Sequence, residues 1–572
     1  MPTHRAQTAA STRWTWRWNW LTLQVMRCLR RGGKQEPHRF ITDRRAIRTD
    51  GPDGPQRYPA AAPTDGRQPG GANARPPEFT DGAGMQVTAD ELRGAIAGQW
   101  VVAPPVAAAR PGFAPAPFLM HGVGTDTREE LSGRLFVALR GESFDAHAFL
   151  AQARARGAVA AVVDRRAGTF ERPEGFPLIE VGDTRVALGD LARWWRGRLR
   201  AKTVAITGSS GKTTTRRLVD AVLSRTMRGT ASPKSFNNDI GVPLTILGAS
   251  ATDGYLVVEI GMNHPGEIAP LSRMAAPHVA IITMAGRAHL GGMGSVEAIV
   301  EEKGSLVDGL GTLGIAIVNG DQPALVAAVE ARVKPGVRVV TFGRGEACQW
   351  RLVDRAPEGE LQRVSIAGPG GEAWSGTLGL PGDYNAMNAL AAAACARMLG
   401  VAWEAVAEGF AAIRPESMRM TRQPVGDVVV FNDAYNANPD AVAAALGAFA
   451  ELAPDPARRV TVLGDMLELG EASAACHRET ARAAIGVRPA LAVFVGPESR
   501  HGAEEVRRLS GAATEVVHVD ALDDAGVAAI AARLVPGDHV LLKGSRGSRM
   551  ERLVQALSAR AAAAAGAAAE AR

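Results

Sequence analysis

The chain has 572 residues, of which 46% are hydrophobic and 22% are charged. This length exceeds one ordinary domain and supplies several cores, so we expect two to four domains. The composition excludes a collagen-like chain, a disulfide scaffold and a protein disordered throughout. The sequence has no run of eighteen apolar residues, and its four cysteines lie far apart without metal-ligand spacing. No membrane span is therefore predicted, and the cysteines fit a reducing compartment.

The net charge of +6 belongs to the beginning of the chain. Residues 1–84 hold 14 basic and 7 acidic residues, whereas residues 85–572 hold 51 basic and 52 acidic ones. The main part of the chain therefore has no signature of nucleic-acid binding. Only seven of the 65 basic residues are Lys, so a Lys in this chain calls for a specific explanation.

Residues 1–84 are predicted to be a disordered basic extension. A run of alternating Trp between Arg13 and Trp20 leads into a stretch rich in Pro, Gly and Arg, without helical or strand periodicity. The Trp residues fit a lipid-surface or RNA-stacking patch, but a non-folding extension, or translation begun upstream of the natural start, is the favoured interpretation. Met85 is then the natural start, because Thr88 and the acidic residues after it predict the beginning of a first helix.

Strand-like runs alternate with helical patterns through the rest of the chain, which predicts an α/β protein of three domains. Residues 85–199 form a small α/β domain. Residues 200–413 contain buried-strand runs that are each followed by a loop and a helix, which predicts a mostly parallel sheet. Polar residues around Pro415 mark the start of a third unit over residues 414–560, and residues 561–572 form an Ala-rich tail.

The predicted elements include a helical pattern in the first domain and strand runs in all three. The helical pattern covers Ala146–Arg156. The strand runs are Leu135–Leu139, Val159–Val163, Leu178–Val181, Val204–Thr207, Tyr255–Ile260, Val279–Thr283, Ile315–Asn319, Val428–Asn432, Val460–Leu463, Ala492–Val495, Val516–Val519 and His539–Lys543.

The strongest local motif is VAITGSSGKTTT, in which a buried strand leads into a glycine-rich loop and then into a helix. Glycines let the backbone approach phosphates closely, amides at the helix start point toward them, and Lys212 adds positive charge. The hydroxyl of Thr213 is placed to ligate Mg²⁺. The loop is a shorter variant, because Ile206 stands where the usual spacing has Gly. The motif predicts a phosphate site made by Gly208, Ser209, Ser210, Gly211, Lys212, Thr213 and Thr214.

Polar side chains also follow the next two strand runs. Glu259 ends one run, and His289 follows the other. Taken alone, each is typical of a solvated strand end or a satisfied loop histidine. Open α/β sheets bind ligands at the carboxyl ends of their strands, so the two together are predicted to be metal ligands.

Several other motifs place polar groups at strand or helix ends. Asn385 and Asn388 begin an Ala-rich helix, where they either cap the helix or bind a purine edge; the residues alone favour capping. Asn432–Asp440 follows a strand and contains more amides and carboxylates than a turn needs. Val462–Gly470 and Leu541–Gly547 also end strands, and the latter offers a positive site for a carboxylate or phosphate.

Eight segments in chain order resemble the Mur ligase superfamily, and the resemblance extends from Met85 to about residue 560. The segments are GSSGKTTT, NNDIGVPL, VEIGMNHPGEI, AHLGGMGS, GDYNAMNALAA, NDAYNANPD, VLGDMLELGE and LLKGSRG. NDAYNANP and LGDMLELG make the chain similar to the branch that adds a D-alanyl-D-alanine dipeptide. The chain departs from the usual pattern at Ala146, Ser235, Met284 and Tyr384, where Gly, Asn, Asn and His are usual.

The resemblance implies a three-domain Mur ligase architecture: a small α/β domain for a UDP-sugar peptide, a central P-loop-type mononucleotide-binding domain for ATP, and a C-terminal Rossmann-like domain for the dipeptide. The implied enzyme is a cytoplasmic monomer that uses ATP to join D-alanyl-D-alanine to UDP-N-acetylmuramoyl-tripeptide through an acyl phosphate. Its product would be the pentapeptide precursor of peptidoglycan. The alternatives are another Mur or folylpolyglutamate-type ligase, and an ATPase switch that forms no bond.

The resemblance also implies roles for individual residues. Lys212 and the loop amides would hold the β- and γ-phosphates, Thr213 one Mg²⁺, and Glu259 with His289 a second Mg²⁺. Arg419 would lie near the γ-phosphate. The adenosine would lie near Asn385, Asn388 and Asp433. The implied substrate-binding residues are Asp126, Thr127, Arg128, Asp145, Asn237, Asn238, Tyr435, Asn436, Asn438, Lys543, Ser545 and Arg546.

Lys303 lies fourteen residues after His289. The resemblance implies that this lysine is N-carbamylated, which turns a cation into a carboxylate-like group that supports the second metal. Arg does not undergo this modification because its guanidinium stays protonated. This explains a Lys in a chain that otherwise uses Arg; an ordinary lysine on a surface helix is the alternative.

Overall fold

A computed structural model describes residues 84–105, 117–167, 170–511 and 513–570, with side chains described as far as residue 563. The predicted basic extension, except Gly84, lies outside the described residues. None of the helices in the described ranges is long and apolar enough to cross a membrane. Three cysteines within these ranges (Cys348, Cys395 and Cys476) are free and buried, as the sequence predicts.

The first unit is a five-stranded sheet with three helices and a separate strand pair. Its strands are β1 (Gln86–Thr88), β2 (Gln99–Val102), β3 (Leu119–His121), β4 (Val123–Gly124), β5 (Leu135–Val137), β6 (Ala160–Asp164) and β7 (Leu178–Val181). Its helices are α1 (Ala89–Ala95), α2 (Leu150–Ala155) and α3 (Thr184–Arg196). The sheet order is β2-β7-β6-β5-β4, with β2 antiparallel to β7 and the other neighbours parallel. β1 pairs with β3.

The central unit is built on a nine-stranded sheet. Its strands are β8 (Lys202–Thr207), β9 (Gly229–Ala231), β10 (Tyr255–Glu259), β11 (Val279–Ile282), β12 (Ile315–Asn319), β13 (Arg338–Gly343), β14 (Trp350–Glu358), β15 (Leu361–Ala367) and β16 (Ala373–Leu378). The order is β9-β10-β8-β11-β12-β13-β14-β15-β16, parallel from β9 to β14 and antiparallel beyond. Its helices are α4 (Lys212–Leu223), α5 (Gly241–Gly248), α6 (Ile268–Ala275), α7 (Leu290–Met293), α8 (Val296–Gly304), α9 (Pro323–Glu330), α10 (Asp383–Met398) and α11 (Trp403–Ala412).

The third unit is built on a six-stranded sheet. Its strand order is β17-β18-β22-β19-β20-β21. The strands are β17 (Thr421–Val425), β18 (Val428–Asn432), β19 (Arg459–Gly464), β20 (Leu491–Val495), β21 (Glu515–Val519) and β22 (His539–Lys543). All neighbours are parallel apart from the β17–β18 pair. The helices are α12 (Pro439–Leu452), α13 (Ser473–Gly486), α14 (Arg500–Ser510), α15 (Asp524–Ala531) and α16 (Glu551–Glu570).

Most predicted elements are present, with small shifts at their ends. Thr88 caps α1 in a capping box with Glu91, which confirms the predicted helix start. The helical pattern over Ala146–Arg156 forms a 3₁₀ segment, Ala146–Phe149, followed by α2. The predicted boundary before residue 561 falls inside the continuous helix α16. The sequence pattern did not reveal the antiparallel extension β14–β16, because those strands alternate polar and apolar residues only weakly.

The first and central units share one hydrophobic core, which joins α3 to the face of the central sheet covered by α5 and α6. Two side chains of α3 also bind backbone carbonyls of the central unit. Trp195 donates to the carbonyl of Ala249 at 2.9 Å, and the buried guanidinium of Arg196 donates to Ala275 at 2.7 Å and Ala276 at 2.9 Å. These contacts fix the first unit on the central one.

Replacing Arg196 with Met should lower the free energy of unfolding by about 2–4 kcal/mol, because the buried hydrogen bonds to the carbonyls of Ala275 and Leu199 are lost. Chemical denaturation measures this loss. Arg200→Met is the matched control: Arg200 is exposed, so its replacement should change stability by less than about 0.5 kcal/mol. Equal stability of the two variants would contradict the role assigned to Arg196.

Candidate active site

The predicted phosphate loop connects β8 to α4 at the carboxyl edge of the central sheet. β8 lies between β10 and β11, so strand ends that carry polar residues flank the loop. Gly211 precedes the helix with a φ of 85°. A Cβ at this position would lie 2.4 Å from Oδ1 of Asn388. Only glycine meets both the conformational and the steric requirement here.

The end of β11 holds the loop in place. The Ser209 amide donates to the carbonyl of Met284 at 2.9 Å, and its hydroxyl donates to Gly286 at 2.9 Å. The hydroxyl of Thr283 donates to the carbonyl of Ser210. The contact at Met284 uses only the backbone, so the departure from the usual Asn leaves it intact.

Lys212 begins α4, and its ammonium donates to the carbonyl of Gly208 at 2.8 Å. Burial lowers the pKa of Lys212, the nearby Glu259 carboxylate raises it, and the charge of Arg419 lowers it. Lys212 and Arg419, two cations from different units, both line one cavity at the start of α4. An anion between them would relieve both the repulsion and the cost of burial.

Glu259, at the end of β10, is the acidic centre of the site and is 1% exposed. One carboxylate oxygen accepts from the Thr213 hydroxyl at 2.9 Å, and the other from the Asn237 amide at 2.9 Å. Arg216 lies 3.8 Å away. The predicted ligands Thr213 and Glu259 are thus in direct contact, and their oxygens are of the type that Mg²⁺ prefers.

His289 precedes α7 with a φ of 61°, in the left-handed region. Its Nδ1 pairs with the carboxylate of Glu468 from the third unit, so Nε2 is the ring nitrogen left for another partner. Burial lowers the pKa of His289, against the effect of Glu468, which favours the neutral imidazole that binds metals.

The oxygens of Thr213 and Glu259 fit a magnesium ion that keeps water or phosphate among its ligands. Among the described residues no group of three or more His, Cys, Asp or Glu side chains could hold a metal. A site built from Thr213, Glu259 and His289 would therefore be completed by the nucleotide and water.

Lys303 lies near the end of α8 and is 1% exposed. This burial contradicts the alternative of an ordinary surface lysine. Burial lowers the pKa of Lys303 well below its usual range, the charge of Lys212 lowers it further, and Glu302 raises it. The neutral amine that carbamylation requires is consequently favoured.

Asn385 and Asn388 lie in the first turns of α10 and are both buried. The Asn385 amide donates to the carbonyl of Pro381 at 2.7 Å. Oδ1 of Asn388 accepts from the hydroxyl of Thr215 at 3.3 Å and lies against Gly211. The pair thus supports the phosphate loop and its helix.

The NDAYNANPD segment of the third unit is organised around a buried lysine. The ammonium of Lys543 forms an ion pair with Asp433 at 2.9 Å and donates to the carbonyls of Asp433 and Asn436 at 3.1 and 2.6 Å. These bonds engage all three donors of the ammonium. Lys543 therefore fixes the shape of this loop.

Two residues of the third unit reach the phosphate loop. The guanidinium of Arg419 donates to the Thr213 hydroxyl at 3.0 Å. Asn438 caps α12 by accepting from the amide of Ala441 at 2.8 Å, and its amide donates to the Ser210 hydroxyl at 3.4 Å. These contacts close the third unit over the loop.

All three units line one cavity of about 700 Å³ around the phosphate loop. Arg185 contributes from the first unit, and Tyr435 and Lys543 from the third. The predicted site residues that line it are Ser209, Ser210, Gly211, Lys212, Thr213, Thr214, Asn237, Asn238, Glu259, His289, Asn385, Asn388, Arg419, Asp433, Tyr435, Asn436, Asn438 and Lys543.

Family models of the Mur ligases match each unit. The catalytic domain of the Mur ligase family matches residues 119–196, the Mur ligase middle domain residues 206–396, and the glutamate ligase domain of the Mur ligases residues 418–546. The UDP-N-acetylmuramoyl-tripeptide–D-alanyl-D-alanine ligase of Escherichia coli is 37% identical over 392 residues, which cover 67% of this chain and 83% of that protein. The chain belongs to the Mur ligase family.

Other relatives agree with this membership. The ligase of the same name from Bacillus subtilis is 36% identical over 63% of this chain and 77% of that protein. The crystal structure of MurF from Acinetobacter baumannii matches with a TM-score of 0.71 and 28% identity, over 83% of this chain and 99% of that one. The MurF ligase of Thermotoga maritima in complex with ADP matches with a TM-score of 0.65 and 26% identity, over 77% and 98%.

In this Mur ligase the predicted residues of the first unit lie away from the main cavity. Asp126 lines a second cavity of about 800 Å³ between the first and central units. Hydrogen bonds from Arg128 lower the pKa of Asp126 to about 2. The carboxylate of Asp145 accepts from the backbone of His147 at 3.0 Å. Thr127 is buried beside Asp126.

Two predicted residues after β22 make local contacts instead of lining the main cavity. The Ser545 hydroxyl accepts from the amide of Leu467 at 2.9 Å and so supports the LGDMLELG loop. Arg546 forms an ion pair with Glu551 at 2.8 Å.

Gly208 lies at the base of the phosphate loop, where its carbonyl accepts a hydrogen bond from the ammonium of Lys212.

Several cavity residues were missed by sequence reasoning. Asn263 and Glu267 belong to the quoted GMNHPGEI segment, so their position after a strand was an available signal. Arg217 and Glu416 carried no local pattern, and Arg185 belongs to a helix of another unit. Only the tertiary arrangement reveals these last three.

Gly211→Ala should weaken ATP binding by about tenfold or more, since left-handed alanine costs about 1–2 kcal/mol and the new methyl group displaces Asn388. Isothermal titration measures the affinity. Gly400→Ala is the matched control, because Gly400 has a φ of 83° but nothing near its would-be Cβ. It should lose stability while keeping ATP affinity; parallel losses of affinity would refute the steric explanation.

Proposed function

We propose that this Mur ligase joins D-alanyl-D-alanine to UDP-N-acetylmuramoyl-tripeptide at the expense of ATP. The observation that carries the proposal is the paired placement of Lys212 and Arg419, which come from two units and line one cavity beside the phosphate loop. Such a space suits the terminal phosphates of a nucleotide. The names of the relatives support the choice of acceptor and dipeptide.

The nucleotide would lie along the phosphate loop, with its β- and γ-phosphates against the loop amides and Lys212. The adenosine would lie on the side of the cavity near α10, beside Asn385, Asn388 and Asp433. Arg419 would neutralise charge on the γ-phosphate from the opposite side. The central unit thus binds ATP, and the third unit supplies one cation.

Magnesium would be held by the Thr213 hydroxyl and by Glu259 with His289, and when bound it would neutralise charge on the phosphates and the substrate carboxylate. Lys303 would support it as a carbamate. The neutral amine favoured by burial attacks the carbon of CO₂, a C–N bond forms, and one proton leaves the nitrogen. The product carries a negative charge where the neutral amine carried none.

The first chemical step would activate the peptide. A carboxylate oxygen of the UDP-linked tripeptide attacks the γ-phosphorus of ATP, and the bond from that phosphorus to the bridging oxygen breaks. ADP leaves, and an acyl phosphate remains. Lys212 and Arg419 favour this step by compensating the charge of the transferred group and holding the reactants in line.

In the second step the amino group of D-alanyl-D-alanine attacks the acyl carbon. The tetrahedral intermediate loses inorganic phosphate, and the nitrogen loses a proton, which leaves an amide bond. We place the dipeptide against the NDAYNANPD loop, whose Asn436 lines the cavity. We place the UDP-sugar toward the first unit, where Asp126 lines the second cavity. A monomer in the cytoplasm, where ATP is available, would suffice for this reaction.

Phosphate release from ATP should require both UDP-N-acetylmuramoyl-tripeptide and D-alanyl-D-alanine. A coupled assay with each substrate alone and with both together tests this, using tripeptides with either diaminopimelate or lysine. Stimulation by a free amino acid in place of the dipeptide would instead indicate another ligase of the superfamily. An equal rate with and without acceptors would indicate an ATPase switch and overturn the proposal.

Lys303→Arg should lower kcat by about 10- to 100-fold while ATP affinity is kept, because arginine supplies no carbamate beside the metal. Carbon NMR of the enzyme in ¹³C-bicarbonate provides a readout besides activity: the wild type should show a carbamate signal that the variant lacks. Lys334→Arg is the control, since Lys334 is exposed and binds the carbonyl of Leu310. Normal turnover of Lys303→Arg, or no carbamate signal in the wild type, would contradict the modification.

A further inference from the structure

We infer that Tyr435 is a positioning residue for Arg419: it holds the guanidinium against the phosphate loop, and its hydroxyl ties that placement to closure of the third unit on the central unit. The inference rests on the proposed function, in which Arg419 acts on the γ-phosphate. It differs from the sequence-based expectation, which assigns Tyr435 to substrate binding.

Arg419 lies in the segment between α11 and β17, which connects the central and third units. Its neighbours Met418 and Met420 have φ values of 61° and 56°, an uncommon conformation for residues with a side chain. Met420 is 1% exposed and belongs to the core of the third unit. The backbone at Arg419 is therefore fixed by the third unit, and the direction of its long side chain depends on what it contacts.

Tyr435 supplies an aromatic surface for that side chain, and the carboxylate of Glu416 lies 3.5 Å from the Nε of Arg419. The guanidinium carbon of Arg419 lies 4.1 Å from the centre of the Tyr435 ring, within the range of a cation–π contact. The amide of Tyr435 donates to the carbonyl of Met418 at 3.2 Å. The backbone contact and the ring contact together orient Arg419 toward Thr213, whose hydroxyl it reaches at 3.0 Å.

The hydroxyl of Tyr435 crosses to the central unit. It donates to the hydroxyl of Ser235 at 2.6 Å, in the loop that leads to α5. This bond forms only when the two units are in contact, whereas the ring contact lies within the third unit and its connecting segment. Tyr435 therefore links Arg419 to a feature of the closed arrangement.

The arrangement has a physical consequence for Arg419. Its positive charge faces the same cavity as Lys212. Repulsion between the two favours withdrawal of the guanidinium before a nucleotide is bound, against the attraction of Glu416, whose carboxylate lies 3.5 Å from Nε. The aromatic face offsets part of that repulsion. The hydroxyl of Tyr435 bonds to Ser235, and its ring face contacts Arg419. Because both parts of the side chain already have partners, a role in positioning Arg419 is favoured over direct contact with substrate.

The test compares Tyr435→Phe, Ser235→Ala, the double variant and Tyr435→Leu with wild type. Tyr435→Phe keeps the ring and loses the hydroxyl bond, and Ser235→Ala removes the same bond from the other side. Each should lower kcat about three- to tenfold, and the double variant should lose no more than the single ones. Tyr435→Leu should lose a further three- to tenfold or so, because the ring is gone. The dissociation constant of ADP should stay unchanged in all four.

A second comparison uses Arg419→Ala as the background. Because Tyr435 acts through Arg419, adding Tyr435→Phe to this variant should cause no further loss. Melting temperatures of all variants distinguish a positioning effect from misfolding, since a structural defect would change ADP binding and stability as well as kcat.

Three results would overturn the inference. The first is that the losses of Tyr435→Phe and Ser235→Ala multiply in the double variant. The second is that the loss persists in the Arg419→Ala background. The third is that the change falls on the KM of the dipeptide instead of kcat. Failure of the proposed function is recognised separately, because wild-type enzyme would then consume ATP without dependence on the two peptide substrates.

Discussion

The site depends on bringing two positive charges together around a phosphate. Lys212 comes from the helix after the phosphate loop, and Arg419 comes from the segment that leads into the third unit. Their mutual repulsion opposes this arrangement in the absence of an anion, and a nucleotide phosphate turns the same charges into a favourable contact. Binding of a nucleotide at this point, as proposed above, would couple its energy to the position of the third unit.

The two interfaces of the central unit differ in chemistry, which fits this coupling. The first unit shares a continuous apolar core with the central one, and separating them would expose that surface to water. The third unit meets the central one through polar contacts, such as Arg287 with Asp440 at 2.9 Å and Glu479 at 2.5 Å, and through Leu290 and Tyr384, which pack against its core. The polar contacts exchange with water at a small net cost, so this interface is held less by apolar burial than the first one.

The two buried lysines Lys543 and Lys303 have different roles in the structure. Lys543 satisfies its ammonium inside the third unit and shapes a loop. Lys303 is equally buried, and burial together with the charge of Lys212 lowers its pKa. Lys543 is thus a compact ammonium that fits among three acceptors, and Lys303 is a buried amine of lowered pKa that would undergo the proposed carbamylation; arginine meets neither requirement.

Local sequence determined the strands, the phosphate loop and the polar residues at strand ends, because those features depend on hydrophobic periodicity and on contacts between residues close in the chain. Ile315–Asn319 and His539–Lys543 match their predicted bounds, and Lys212 and Thr213 begin the predicted helix. The tertiary structure alone decided which strand ends meet. Arg185 and Glu416 line the cavity, Asn388 packs against Gly211, and Tyr435 binds Ser235. These contacts join residues of different units or distant segments, and no periodicity in the chain encodes the packing that brings them together.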